Sequence, residues 1–186
     1  LPPHQRAKIL AEFTPAERAA MVHAWPVWAR ADQLPPPGEW NTWLILAGRG
    51  WGKSRTGAEW VRAQVKAKRC GRLAIVARTA ADVRDVIVEG ESGILAISPK
   101  GERPMWEPSR RRLTWPTTGA QATTYSAEEP DQLRGPQHDG AWADEIAAWR
   151  YADAWDQLRF GLRLGDHPRV VVTTTPRPTK IIRDLM

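Results

Sequence analysis

"WLILAGRGWGKSRTGAEW", Trp43 to Trp60, decides the fold. The short apolar run "TWLILA" (42–47) reads as a buried strand. "SRTGAEWVRAQVKAK" (54–68) reads as a helix with Ala58, Val61 and Val65 on one face. Between them lies a glycine-rich loop closed by Gly52-Lys53-Ser54, so strand, loop and helix follow in the order of a phosphate-binding loop. Ala47 stands where that pattern opens on glycine. The position needs only a small side chain at the strand exit, and alanine supplies one. Gly48, Gly50 and Gly52 let backbone N–H groups turn inward around phosphate oxygens. The helix adds its positive N-terminus. In this arrangement Lys53 reaches the β and γ phosphates of ATP and Ser54 holds Mg²⁺. Arg49 and Trp51, two large side chains, occupy free positions of the loop.

Outward from the loop, strands and helices alternate. "FTPAERAAMVHAW" (13–25) carries a capping box, Thr14 with Glu17, and Pro15 at the first helical position. "QLPPPGEW" (33–40) is a rigid break. "RLAIVAR" (72–78) reads as a strand, and "TAADVRDVIVEG" (79–90) as a helix capped by Thr79 and ended near Gly90. "RRLTWPTTGAQATTYS" (111–126) reads as a hairpin turning at Thr118-Gly119. "YADAWDQLRFGLRLG" (151–165) is a helix expected to stop at Gly165. "RVVVTTTP" (169–176) is a β-branched strand ended by Pro176. The class expected is α/β, a P-loop NTPase of the ASCE or RecA-like kind, with a mainly parallel sheet and helices on both faces. Residues 1–38 form a helical N-terminal segment and 39–186 the core.

Two further motifs fall at strand ends, where such sheets collect ligands. In "GAWADE" (140–145) apolar residues lead to Asp144, placed to coordinate Mg²⁺, and then to Glu145, placed to activate water as a general base. In "VVVTTTPRP" the hydroxyls of Thr173, Thr174 and Thr175 are placed to sense a γ-phosphate and pass its loss to a moving partner. Transfer of phosphate to a metabolite needs no water-activating glutamate, so the acid pair favours hydrolysis coupled to work.

Composition bounds the rest. The chain has 186 residues, enough for a sizeable core, and a net charge of +6, which points to a polyanionic partner, nucleic acid first. The basic residues are spread out; "KAKRCGR" and Arg110 to Arg112 are only short clusters. A single cysteine, Cys70, excludes a disulfide framework within the chain. No signal peptide and no apolar run of membrane-spanning length is present, so a soluble intracellular protein is expected. Most of the eleven tryptophans are expected in the core.

Together these residues resemble the large terminase subunits of tailed double-stranded DNA phages and related gene-transfer particles, ATPase motors that package DNA into empty capsids. "ARADQLPPPGEWNTWLILAGRGWGKSRTGAEWVR" (29–62) resembles the family's adenine motif and arginine-bearing P-loop. "LRGPQHDGAWADE" (133–145) looks like the approach to its Walker B strand, and "TTTP" matches its coupling motif. The resemblance implies that Gln33 reads the adenine edge, that Asp144 and Glu145 are the metal-binding and catalytic acids, and that Thr173 to Thr175 couple hydrolysis to movement. It implies an arginine finger with two candidates: Arg49 within its own subunit, and Arg134, in "QLRGP", reaching a neighbour's nucleotide in a ring. Arg134 is favoured; on a surface loop it would instead pair with Asp131 or Glu129. The implied partners are double-stranded DNA, further copies in a ring on the portal, the portal protein and the small terminase subunit, in the host cytoplasm. Large terminases also carry a nuclease domain after the motor; no second acidic cluster follows here, so no nuclease activity is expected of this chain. A helicase-type nucleic-acid ATPase is the alternative, and a nucleotide-binding scaffold without turnover a third reading, against which Glu145 and Arg134 argue.

Overall fold

The computed structural model describes residues 11–186; the first ten residues of the expected 1–38 segment lie outside the described residues. The chain divides into two compact units, Leu1–Leu34 and Pro35–Met186. In the first, the helix Pro15–Val22 starts at the expected capping box, with Thr14 Oγ1 accepting from Glu17 N–H and the Glu17 carboxylate accepting from Thr14 N–H. A single turn, Trp25–Trp28, and a 3₁₀ turn, Ala31–Gln33, follow.

The second unit is built on seven strands: β1 (Thr42–Leu46), β2 (Arg72–Ala77), β3 (Met105–Glu107), β4 (Arg112–Thr114), β5 (Gln121–Ser126), β6 (Gly140–Asp144) and β7 (Arg169–Thr174). Their order across the sheet is β1-β7-β6-β2-β5-β4-β3. The five strands from β1 to β5 in that order pair in parallel; β4 and β3 extend the edge antiparallel. The expected hairpin is the β4–β5 pair, with Gly119 at φ +75° in its turn.

Side chains alternate across the sheet, so each buried strand feeds two cores. Leu73, Ile75, Trp142 and Val171 face one way and pack with Ala58, Val61 and Val65 of the helix Lys53–Lys66 and with Val83, Ile87 and Val88. Ala74, Val76, Ala141, Ala143, Val170 and Val172 face the other way, against Ala154, Trp155 and Leu158 of the helix Asp153–Gly161 and Ile182 of the helix Lys180–Leu185. Helices therefore cover both faces, as the alternation of elements requires. Tryptophan is mostly core: Trp60, Trp115, Trp142 and Trp155 are buried, and Trp40, Trp43, Trp51 and Trp106 pack against the first cluster. Cys70 is buried and free, its thiol pushed up to about 12, chiefly by burial.

Three elements depart from expectation. β1, expected to be buried, is an edge strand in which only Ile45 is buried. The segment after Thr79 is one α-turn, Ala80–Asp82, that widens into a π-helical stretch, Val83–Val88. The helix from Asp153 stops at Gly161 rather than Gly165. His138 captures the chain there: its N–H donates to Gly161 O, and its carbonyl accepts from Arg163 and Leu164 N–H. Those backbone groups are then spoken for outside the helix, which ends four residues early.

Candidate active site

The parallel register brings the carboxyl ends of β1, β6 and β7 together. β1 runs into Ala47, whose N–H donates to Thr174 O, so the loop leaves the sheet beside the threonine strand. Gly50 and Gly52 take φ +76° and +95°, the left-handed backbone that glycine adopts without strain, and Gly52 caps the helix that begins at Lys53. Lys53 is buried. Its Nζ donates to Ala47 O (3.1 Å) and Gly48 O (3.0 Å) and lies 3.4 Å from Glu145 Oε1.

Asp144 is the last residue of β6 and pairs in register with Thr173. The Thr173 hydroxyl donates to Asp144 Oδ1 at 2.6 Å. The Asp144 carboxyl is raised to about 6. Burial is the main cause, and the charges of Glu145 and Asp82 add to it, while the Thr173 hydrogen bond and Lys53 act the other way. Glu145 follows in a left-handed conformation, φ 48° and ψ 45°, which is strained for a residue with a side chain. Its carboxylate accepts from Thr175 N–H and Thr175 Oγ1, both at 3.0 Å. The bend in the backbone thus turns the second acid away from the strand line and onto Lys53 and Thr175.

The three threonines divide their contacts. Thr173 serves Asp144, and the Thr174 hydroxyl accepts from Ala147 N–H at 3.1 Å, just beyond the acid pair. Thr173 and Thr174 are fully buried; Thr175 reaches the open cleft and holds Glu145. That cleft, about 310 Å³, is lined by Arg49, Ser54, Asp144, Glu145 and Thr175. Three charged residues absent from the motif reading also line it: Arg78, Asp82 and Arg177. Arg78 and Asp82 form an ion pair (3.2 Å) just beyond β2, which is β6's other neighbour. The sequence placed Arg78 at the end of a strand, but only the strand order sets that end beside the acid-bearing strand. For Arg177 the sequence signal was proximity to the threonine run.

The remaining expected residues make other contacts. Trp51, next to Gly52 in the loop, packs against the core. Gln33 belongs to the N-terminal unit, and its side-chain oxygen accepts from Arg30 N–H at 3.0 Å. Arg134 is 68% exposed and pairs with Asp131 at 3.3 Å. It is not among the residues that line the cleft. Arg110 and Arg112 both pair with Glu107 on the hairpin face.

The elevated Asp144 acid has a measurable consequence. Its folded-state value exceeds the unfolded one, so the stabilisation it gives is complete below about pH 4 and is lost as pH rises through about 6. An asparagine resembles the protonated acid and retains that stabilisation. In the nucleotide-free and metal-free chain at pH 7.5, Asp144→Asn is expected to add about 3 kcal/mol, or roughly 6–12 °C in Tm. The gain shrinks to nothing near pH 4. Thermal melts across pH 4–8 check this, and a pH-independent difference would refute the burial account.

Residues 44–186 match the family model described as terminase large subunit, T4likevirus-type, N-terminal. The ATPase domain of the large terminase of Thermus phage P74-26 has the same fold, with TM-score 0.60 and 19% identity over 77% of this chain and 62% of that one. The large terminase of a thermophilic bacteriophage, solved in complex with ADP, gives TM-score 0.60 and 17% identity, over 83% of this chain and 37% of that one. The same thermophilic phage protein in complex with ATP-γ-S gives TM-score 0.57 and 14% identity, over 83% and 36%. This chain therefore spans less than two thirds of each of these three solved chains, and at these identities the likeness is one of fold, that of a P-loop NTPase. No curated protein matches the chain in sequence. The match from β1 to Met186, on a sheet that gathers P-loop, acid pair and threonine strand at one edge, places the chain in the family of terminase large subunits, as an N-terminal domain of the T4-like type.

Proposed function

We propose that this domain hydrolyses ATP with Mg²⁺ to drive double-stranded DNA into a procapsid. The observation that carries the reading is the convergence of Lys53, Glu145 and Thr175: the phosphate-loop lysine, the candidate base and the coupling strand meet within 3.4 Å. Phosphate oxygens arriving at Lys53 compete with Ala47 O, Gly48 O and Glu145 for its ammonium. Glu145 released from Lys53 becomes free to take a proton from water. Thr175 feels that release directly, through both of its contacts to the carboxylate.

Ser54 and Asp144 fit a Mg²⁺ site that also uses phosphate oxygens. Mg²⁺ is usually held by one or two carboxylates together with substrate phosphates. Among the described residues no group of three or more His, Cys, Asp or Glu forms an all-protein site. A cation beside Asp144 would favour its ionised form, against the burial that raises it. Held there, the ion would neutralise phosphate charge and orient the phosphates.

Gln33 reads adenine in this proposal. Arg49, at the cleft, contacts phosphate within its own subunit, while Arg134, on the exposed turn, acts as the finger on a neighbour's nucleotide. Ring assembly on the portal, contact with the portal protein and small terminase subunit, and residence in the host cytoplasm belong to the same proposal. Among the described residues, no helix is long and apolar enough to cross a membrane.

The test is ATP turnover with and without double-stranded DNA and an empty portal-bearing capsid. The isolated chain is expected to turn over slowly and to be stimulated when all three are combined. Arg134→Ala keeps monomer nucleotide binding and lowers turnover only on assembly, by as much as ~10³-fold. Mixing Arg134→Ala with Glu145→Gln subunits restores part of that activity, since intact pairs of finger and base re-form across interfaces. No recovery under conditions where rings form would remove the assignment in trans.

A further inference from the structure

One buried group at this site has no place in the steps above. Trp142 lies two residues before Asp144 on β6, on the same face of the sheet, and is fully buried. Its indole lies against the phosphate-loop helix at Gly57, one turn beyond Lys53. A Cβ at Gly57 would overlap the indole ring at Cε2, Cζ2 and Nε1, so the helix approaches the strand only because position 57 is glycine. The indole Nε1–H donates to Thr173 Oγ1 at 2.8 Å.

The chemistry of the groups fixes the direction of the next hydrogen bond. An indole N–H can only donate, so the Thr173 oxygen accepts there and keeps one proton to give. Two acceptors are within reach: Asp144 Oδ1 at 2.6 Å and Ala143 O at 3.5 Å. The shorter bond, to a carboxylate, is the stronger. The relay therefore runs from Trp142 N–H to Thr173 O–H to Asp144 Oδ1, and every member is buried.

We infer that Trp142 is a positioning residue for Asp144. Clamped against Gly57, its indole aims the Thr173 hydroxyl at the carboxylate and fixes one oxygen of Asp144. The phosphate-loop helix, the acid and the coupling strand then move as one unit. A shift of the helix at Gly57 tilts the indole and weakens the grip on Asp144 by way of Thr173. Partners behind a metal-binding side chain typically contribute 10–100-fold to metal affinity or activity. The inference rests on the nucleotide-hydrolysis reading of the site, and its test is separable from that reading.

Three substitutions in the 186-residue chain, with two of them also combined, decide it. Trp142→Phe keeps an aromatic ring and removes the N–H. Thr173→Val keeps the shape and removes the hydroxyl. Thr173→Ser keeps the relay. Mn²⁺ affinity measured by electron paramagnetic resonance in the presence of ATP-γ-S is expected to fall ~10-fold in Trp142→Phe. Nucleotide affinity in EDTA should stay within about twofold, since the hydrogen bond removed acts on the metal-binding acid and not on the loop. Adding Trp142→Phe to Thr173→Val should have no further effect, because the two act through one bond. Without any nucleotide, the Trp142 indole N–H proton resonance should move upfield in Thr173→Val and hold in Thr173→Ser. An unchanged Mn²⁺ affinity in Trp142→Phe, an equal loss in the Thr173→Val background, or an unmoved indole resonance in Thr173→Val overturns the inference. If the unaltered chain binds no ATP-γ-S, the hydrolysis reading fails, and the indole resonances still decide whether the relay exists.

Discussion

Replacing Glu145 with glutamine is expected to leave nucleotide binding intact and to lower hydrolysis by about 10²–10⁴-fold, the usual contribution of a positioned general base. The geometry explains both halves. Glutamine keeps the length of the side chain and can still accept from Thr175, but it takes no proton at neutral pH. It also ends the 3.4 Å pairing with Lys53, so the lysine loses a competitor to phosphate and binding is at least as tight as before. Single-turnover hydrolysis with the chain in excess, alongside a nucleotide titration, separates the two effects. Turnover within a few-fold of the unaltered chain would remove Glu145 from the catalytic role and return the site to a binding scaffold.

Lys53→Ala is expected to fail at the earlier step and to bind no ATP in an ordinary titration, a loss of at least ~100-fold from charge-assisted hydrogen bonds to phosphate. The ammonium is buried and held by two loop carbonyls as well as by Glu145, so it stands ready at the loop mouth and little side-chain ordering remains to be done on binding. Removing it leaves the fold in place, because water can reach the partners it leaves: Gly48 is exposed, Ala47 half-buried, and Glu145 lines the open cleft. Calorimetry gives the affinity, and a melting curve confirms that the variant is folded. Retained binding would mean that the loop N–H groups and helix N-terminus suffice, and that Lys53 acts only on Glu145.

These two variants, with Asp144→Asn, separate roles that sit within one cleft. Asp144→Asn should stabilise the nucleotide-free chain, whereas Lys53→Ala should bind nothing and Glu145→Gln should bind without turnover. A residue whose removal stabilises the fold is one that the fold tolerates at a cost, and here the cost is a buried carboxylate raised to about 6.

The sequence alone determined the layout of the sheet's working edge. "TWLILA", "GAWADE" and "RVVVTTTP" are short apolar or β-branched runs too brief for buried helices, so β1, β6 and β7 were legible from period and length. The Thr14–Glu17 and Thr79–Asp82 boxes show how a few local hydrogen bonds fix where a helix starts. What depends on neighbours distant in the chain was not legible. The helix from Asp153 ends at Gly161 because His138, more than twenty residues away, takes its backbone groups. Arg78 and Asp82 reach the cleft because β2 lies beside β6, a fact of strand order that no local pattern carries. Thr173, Thr174 and Thr175 read as three equal hydroxyls in the sequence. In the fold, the two-residue alternation of a strand and its register against Asp144 give them three different partners. Residue types and local spacing fixed which chemistry is present, because capping, turns and strand period act over a few residues. Which oxygen meets which proton was decided by tertiary structure alone, because a hydrogen bond depends on tenths of an ångström between segments as far apart in the chain as Ala47 and Thr174.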